Sequence, residues 1–230
     1  MIVPNHLGVI IDGNRRWAKA KRMPSLMGHK YGAETFEKFL EWCLKLNIHQ
    51  ISVYSLSTEN LNRDKNEVKE LFGLFRKYCN KWEKEGNILD KYEVKIKFCG
   101  DFRRLPPDLV KLMERIMQKT AKYHKKVLNI LIAYGSHFEL TEVFKKIALK
   151  ILKSGKIQIT QKEIQKNLMI PTPIDLLIRT GGMSRLSNFL LWQTAYAEIY
   201  VTKTLWPDFS KKELVKAIKW FNSVQRKFGR

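Results

Sequence analysis

Cysteine is scarce in this 230-residue chain, and the three present, Cys43, Cys79 and Cys99, are odd in number and far apart. No disulfide framework can pair them all, and no metal-ligand spacing links them, so a reduced, cytoplasmic interior is expected. Long apolar runs are missing too. No stretch of about 18 apolar residues occurs, which excludes a spanning helix, and the opening Met1-Ile2-Val3-Pro4-Asn5-His6 has neither the basic start nor the apolar centre of a secretory signal. The 7 prolines and 12 glycines form no linker, so the chain reads as a single domain over residues 1–230. Acidic residues are in deficit, 22 against 43 Lys and Arg, for a formal charge of +21. Three readings of that excess stand side by side: a lysine-rich solvated surface of the kind thermophile proteins carry, attraction to anionic lipid or polyanionic substrates, and nucleic-acid binding. No helix-turn-helix, zinc-finger or stacking-platform pattern accompanies the charge, which argues against nucleic acid.

What is present is an alternation of short apolar runs with longer segments of helical period. Strands are expected at His6 to Ile11, Gln50 to Ser55, Glu93 to Phe98, Leu128 to Ala133, Asp175 to Ile178 and Ala197 to Thr202. Helical stripes run from Ala33 to Leu46, Val68 to Trp82, Leu109 to Tyr123, His137 to Lys153 and Leu214 to Phe228. In the fourth stripe Phe138, Val143, Phe144, Ile147, Ile151 and Leu152 are expected to pack on the sheet. The fold class is therefore α/β: a wound, largely parallel six-stranded sheet flanked by helices. Ligands of such sheets bind beyond the carboxyl ends of the strands. The residues there are polar: Asp12-Gly13-Asn14-Arg15-Arg16 after the first strand, Ser57-Thr58-Glu59-Asn60 after the second, Arg179-Thr180-Gly181-Gly182 after the fifth.

Asp12 to Trp17 joins a strand to a helix, so free backbone N–H groups and a helix N-terminus converge there. A diphosphate suits that point, with Gly13 allowing close approach, Arg15 and Arg16 supplying charge and Asp12 able to hold a divalent cation. The plainer reading is that Asp12 or Asn14 caps a helix. Arg179 to Asn188 offers Arg179 and Arg185 with glycines and hydroxyls between, suited to a second diphosphate; two surface arginines beside a turn is the plainer alternative. Glu198 sits in an apolar stretch, where a buried acid needs a metal or arginine beside it.

Taken in order, His6 to Ala18, Gly28-His29, Ser57-Thr58-Glu59-Asn60, Asn62-Arg63 and Arg179 to Glu198 resemble the cis-prenyltransferase (undecaprenyl diphosphate synthase) family over nearly the whole chain. The resemblance implies a magnesium-dependent transferase that condenses isopentenyl diphosphate with an allylic diphosphate primer. It places the primer's diphosphate among Asp12, Gly13, Asn14, Arg15, Arg16, Trp17 and His29, and isopentenyl diphosphate on Arg179, Arg185, Leu186 and Ser187. Ser57, Thr58, Glu59 and Arg63 line the substrates, Asn60 assists loss of a proton, and Asp12 and Glu198 hold Mg2+. The product grows into an apolar tunnel beside Phe36, Leu40 and Leu71. A homodimer is implied as well, and peripheral contact with an anionic membrane surface fits the charge.

Three positions depart from the bacterial pattern: Ser25 replaces an arginine, Ser184 a histidine and Leu61 a tryptophan. Arg15, where bacterial members have glycine, resembles archaeal and eukaryotic members and points to an archaeal source. Lys227 stands where the family's C-terminal Arg-x-Gly segment has arginine, with Arg226 and Arg230 nearby. A non-catalytic accessory subunit, which shares the fold, and a basic nucleic-acid-binding protein are the alternatives. Retention of the Asp12 and Arg179 motifs argues against both.

Overall fold

The computed structural model describes residues 2–157 and 159–224. All six expected strands form within three residues of the expected bounds: β1 (His6–Ile10), β2 (Gln50–Ser57), β3 (Val94–Cys99), β4 (Lys126–Tyr134), β5 (Leu176–Arg179) and β6 (Glu198–Val201). They pair in parallel throughout, in the order β3-β4-β2-β1-β5-β6. Every residue of β1 and β5 is buried, which is why both read as continuous apolar runs without alternation.

Eight helices surround the sheet among the described residues: α1 (Asn14–Ala20), α2 (Ser25–Lys45), α3 (Lys65–Glu83), α4 (Ile88–Lys91), α5 (Pro107–Thr120), α6 (Ser136–Ser154), α7 (Gln161–Asn167) and α8 (Lys211–Ser223). Their ends follow local chemistry. Asp64 caps α3 by accepting from the Asn66 and Glu67 amides, Ser210 caps α8 through the Glu213 amide, and Gly155 closes α6 at φ 66°. One large core cluster joins Leu7, Val9, Ile51 and Val53 of the sheet to Phe39 of α2, Met113 of α5 and Ile218 of α8. A second, around Leu177, Ile170, Ile174, Phe189 and Leu190, also engages β1 through Ile10. The three cysteines are buried free thiols, and burial pushes the Cys43 thiol well above its ordinary pKa.

Two expectations change. Helix α6 buries Val143 and Ile147 against Leu168, with Ile164 of α7 and Trp192 beside them. Phe144 and Leu152, expected on the inner face, are 52% and 81% exposed, because at 100° per residue Phe144 lies about a quarter-turn from the Val143–Ile147 line and Leu152 almost opposite it. The short helices α4 and α7 were not expected, being too brief to show a period.

The strand order decides where the site lies. The chain fills the sheet from β1 towards β2 and the far edge, then returns to place β5 on β1's other side. The β1/β5 boundary is thus the point where winding reverses, where an open parallel sheet leaves a crevice at the strands' carboxyl ends. Ile10 is in register with both Tyr54 and Arg179, so Asp12 emerges directly beside the end of β5.

Candidate active site

Asp12 is gripped from two sides. Its Oδ2 accepts from Arg179 Nη2 at 2.8 Å and its Oδ1 from Arg16 Nη2 at 3.1 Å, while its backbone carbonyl takes the Thr180 hydroxyl at 2.7 Å and the Trp206 amide at 3.1 Å. Arg16 also donates to the Gly181 carbonyl at 2.8 Å. Arg179, 4% exposed, donates from Nη1 to Ser187 Oγ at 2.9 Å and to the Arg185 carbonyl. The first and fifth strands therefore present one connected array in which a single carboxylate orders two guanidinium groups. Gly13 begins α1 at φ 114°, and a Cβ there would lie 2.8 Å from Leu205 Cδ2, so glycine is required at this turn on two counts.

Three spaces open from this array, and all three share Ile11, Asn14 and His29 as walls. The largest, about 740 Å³, is lined by Asp12, Gly13, Asn14, Arg15, Arg16, His29 and Arg63, with Lys19, Arg22 and Ser25. A second of about 300 Å³ runs between Asp12, Ser57, Asn60, Arg63, Arg179, Arg185 and Ser187. The third, about 90 Å³, is apolar, enclosed by Phe36, Leu71, Leu74, Phe75, Cys79 and Trp82. Such a density of cations around one half-buried acid makes the two polar clefts strongly attractive to anions. Asn14 Oδ1, His29 Nε2 and Arg179 Nε are buried without a hydrogen-bond partner among the described residues, and Asn14 and His29 are walls of both polar clefts. Burial lowers the His29 pKa, Arg63 lowers it further and Glu67 opposes both, so the imidazole is biased towards its neutral form.

The loop after β5 is shaped by backbone in the left-handed region at Ser187 (φ 51°) and Asn188 (φ 64°). Asn188 is braced three ways: its Oδ1 accepts from the His137 amide at 3.0 Å, its Nδ2 donates to Glu59 Oε1 at 3.1 Å, and its carbonyl accepts from the Ser136 amide at 2.8 Å. Tyr54 adds a bond from its hydroxyl to the Ser187 carbonyl at 3.2 Å. These contacts fix Ser187 facing Arg179. Ser57 and Asn60 hold one another, the Asn60 amide donating to Ser57 Oγ at 3.1 Å and the Ser57 amide to Asn60 Oδ1 at 3.3 Å.

Of the residues expected at the site, Asp12, Gly13, Asn14, Arg15, Arg16, His29, Ser57, Asn60, Arg63, Arg179, Arg185 and Ser187 line the polar clefts. Trp17 is instead buried, stacked at a tilt on Tyr31 and bonded to Asp208. Leu186 packs on the second core cluster, Glu59 supports Asn188, and Thr58 stands within 2.8 Å of where a Cβ on Gly135 would be. Glu198 does not join Asp12 within one chain. It is in register with Leu176, itself beside Leu7, while Asp12 follows the opposite end of β1, roughly 15 Å away at about 3.3 Å per residue. Nor is it a buried acid: it is half-exposed, between exposed Tyr196 and Ile199. Among the described residues no group of three or more His, Cys, Asp or Glu could hold a metal. Lys19, Arg22, Tyr54 and Glu67 were not anticipated. For Glu67 the only sequence signal is its i,i+4 spacing from Arg63. The tail positions Arg226, Lys227 and Arg230 lie outside the described residues.

Residues 10–229 match the family model described as "Putative undecaprenyl diphosphate synthase". Among curated proteins, an isoprenyl transferase of Heliobacterium mobile is 42% identical, with 99% of this chain and 88% of the relative aligned. A tritrans,polycis-undecaprenyl-diphosphate synthase (geranylgeranyl-diphosphate specific) of Methanopyrus kandleri is 38% identical over 99% of this chain and 85% of the relative. Among solved structures, lavandulyl diphosphate synthase from Lavandula x intermedia, in complex with dimethylallyl diphosphate, superimposes with a TM-score of 0.92 at 30% identity, covering 99% of both chains.

Proposed function

The chain belongs to the undecaprenyl diphosphate synthase family of cis-prenyltransferases, and on that premise we propose how its own residues divide the condensation of isopentenyl diphosphate with an allylic diphosphate primer. The observation that carries the division is the meeting of two cationic clefts and one apolar cavity at Ile11, Asn14 and His29. A reaction between two diphosphates that lengthens a hydrocarbon needs those three spaces and that meeting point.

The larger cleft takes the primer's diphosphate, with Arg15, Arg16, His29 and Arg63 around it and the α1 amides below. The smaller takes isopentenyl diphosphate on Arg179, Arg185 and Ser187. The primer's hydrocarbon enters the apolar cavity past Phe36 and Leu71; Leu40, although buried, is not among that cavity's walls. In the chemical step the allylic C–O bond breaks with its electron pair leaving on diphosphate, the isopentenyl double bond attacks the freed carbon, and a proton is lost from the carbon between the resulting cationic centre and the diphosphate-bearing carbon, which forms the new double bond. Arg16 and Arg63 stabilise the departing charge. Asn60 Oδ1 already accepts from the Ser57 amide, and an amide is a weak base, so Asn60 orients while the departing diphosphate or a water takes the proton.

Mg2+ suits this chemistry. A single carboxylate, Asp12, faces the primer cleft, and magnesium commonly binds through one or two carboxylates with substrate phosphates and water completing its shell. When bound there it would neutralise diphosphate charge. Incubating the purified chain with isopentenyl diphosphate, a series of allylic primers and magnesium, then sizing the products, tests the whole reading; no elongation with any primer would sink it. Within it, Arg185→Ala is expected to raise the KM for isopentenyl diphosphate by roughly tenfold or more, the loss of a charge-assisted contact of about 1.5–3 kcal/mol. The primer's KM should stay within about twofold, and a collapse of primer affinity instead would show that the clefts are assigned backwards.

A homodimer is proposed as well, through the surface that carries Glu198. Tyr196 (74% exposed) and Ile199 flank it, two large side chains left open to solvent beside the acid. A second copy would cover these residues and receive Glu198 at its interface. Sedimentation of the purified chain should give a dimer, and Ile199→Lys should shift it towards monomer; a wild-type monomer that turns over at full rate would exclude this arrangement.

A further inference from the structure

Glu67 has no place in the division of labour above, yet it sits against the residues that perform it. It lies in the first turn of α3, three residues after the cap Asp64. At that spacing a glutamate commonly reaches back to the cap residue's N–H. Here the cap already satisfies the Asn66 and Glu67 amides, at 2.9 and 3.2 Å, and the Glu67 carboxylate turns to the cations instead. Its Oε1 accepts from Arg63 Nη1 at 3.1 Å and stands 3.6 Å from His29 Nε2 and 3.9 Å from Arg15 Nε. One oxygen thus collects side chains from three elements: α1, α2 and the segment after β2.

A favourable helix-dipole contact explains an acid in this turn. It does not explain a carboxylate left only 15% exposed and aimed at three basic groups, when solvent would serve the dipole equally well. Without that negative charge Arg63 and Arg15 would repel one another, His29 would lose the acceptor facing its Nε2, and Arg63, whose side chain is 26% exposed, would swing outward. With it, the cluster keeps a net positive charge towards the cleft and a fixed geometry. We propose that Glu67 is a positioning residue for the primer's diphosphate, holding Arg63 and His29 at the junction of the three spaces before substrate arrives. The proposal rests on the larger cleft being the primer site.

The test uses Glu67→Gln, which keeps shape and removes charge, Glu67→Asp, which keeps charge, Arg63→Ala, and the Glu67→Gln/Arg63→Ala pair. KM and kcat are measured for each substrate with the other saturating, together with the melting temperature. Glu67→Gln should raise the primer's KM about tenfold, the effect of displacing a charge-assisted contact, with the KM for isopentenyl diphosphate within about twofold. Glu67→Asp should recover part of the loss. Added to Arg63→Ala, Glu67→Gln should cost little more, because the two act through one contact. Fully additive losses, or a loss shared equally by both substrates and tracking the melting temperature, would overturn the proposal. If Arg63→Ala weakens the primer while Glu67→Gln leaves its KM unchanged, Glu67 alone is misassigned. If Arg63→Ala weakens isopentenyl diphosphate instead, the cleft assignment fails and this inference with it.

Discussion

Asp12→Ala is expected to lower kcat by about three orders of magnitude while the protein stays folded. The carboxylate orders Arg16 and Arg179 at the same time, and it is the acid lining the cleft proposed for the primer, where it would take the divalent cation. Losing several kcal/mol of stabilisation as charge develops on the leaving diphosphate corresponds to roughly tenfold per 1.4 kcal/mol. Stability should suffer less. Arg179 loses one partner but keeps Ser187 and the Arg185 carbonyl, and Asp12 is 28% exposed, so a loss of about 1–2 kcal/mol is anticipated, a few degrees in a chain of this size. Steady-state kinetics beside a thermal melt separates the two effects. Turnover within about tenfold of wild type would falsify the role given to Asp12.

Gly28→Ala should do the reverse, breaking the frame before the chemistry. A Cβ at Gly28 would lie 2.1 Å from the Asn14 carbonyl oxygen and 2.8 Å from its carbon. Both atoms are backbone of α1, facing Gly28 on α2, so the two helices must part. Overpacking of this kind costs about 1–3 kcal/mol where side chains can yield and more where backbone must, which predicts a fall in melting temperature of roughly 6–12 °C for about 3 kcal/mol. Parting α1 from α2 also separates Asn14 from His29, so activity should fall even at temperatures where the variant is folded. Gly73→Ala is the internal control. Nothing stands within 4 Å of its Cβ position in α3, and removing a mid-helix glycine should stabilise by up to about 1 kcal/mol. Equal melting temperatures for the two variants would show that the α1–α2 approach is not tight.

How far the sequence could be read depended on whether a signal is local. The inner strands were legible because parallel strands buried on both faces are near-continuous apolar runs between polar loops, and the edge strand β3 because its buried and half-buried residues alternate. Asp12, Arg16, Arg179, Arg185 and Ser187 were legible because their loops directly follow those runs. Position around a helix was less so: Phe144 and Leu152 fit a three- and four-residue period, yet a stripe that broad covers more than the buried face of α6. Glu198 was misplaced for a different reason. Its apolar surroundings suggest burial, but only strand register reveals that it begins β6 at the edge of the sheet opposite Asp12. Glu67 was invisible because its partners Arg15 and His29 come from α1 and α2, and no spacing along the chain announces that those helices meet the start of α3.

The strand order also sets a schedule for synthesis. β1 emerges from the ribosome first and can pair with β2 soon afterwards, but its other edge belongs to β5, which begins only at Leu176. At about 5–20 residues per second, that edge stays open for on the order of ten seconds or more. During that interval an apolar central strand offers unpaired backbone groups to any neighbouring chain, the situation in which nascent sheets aggregate. Nor can the Asp12–Arg179 array exist earlier, since the two meet only when β5 docks. Closure of the sheet and assembly of the site are one late event, so a chain stalled before β5 is both inactive and adhesive.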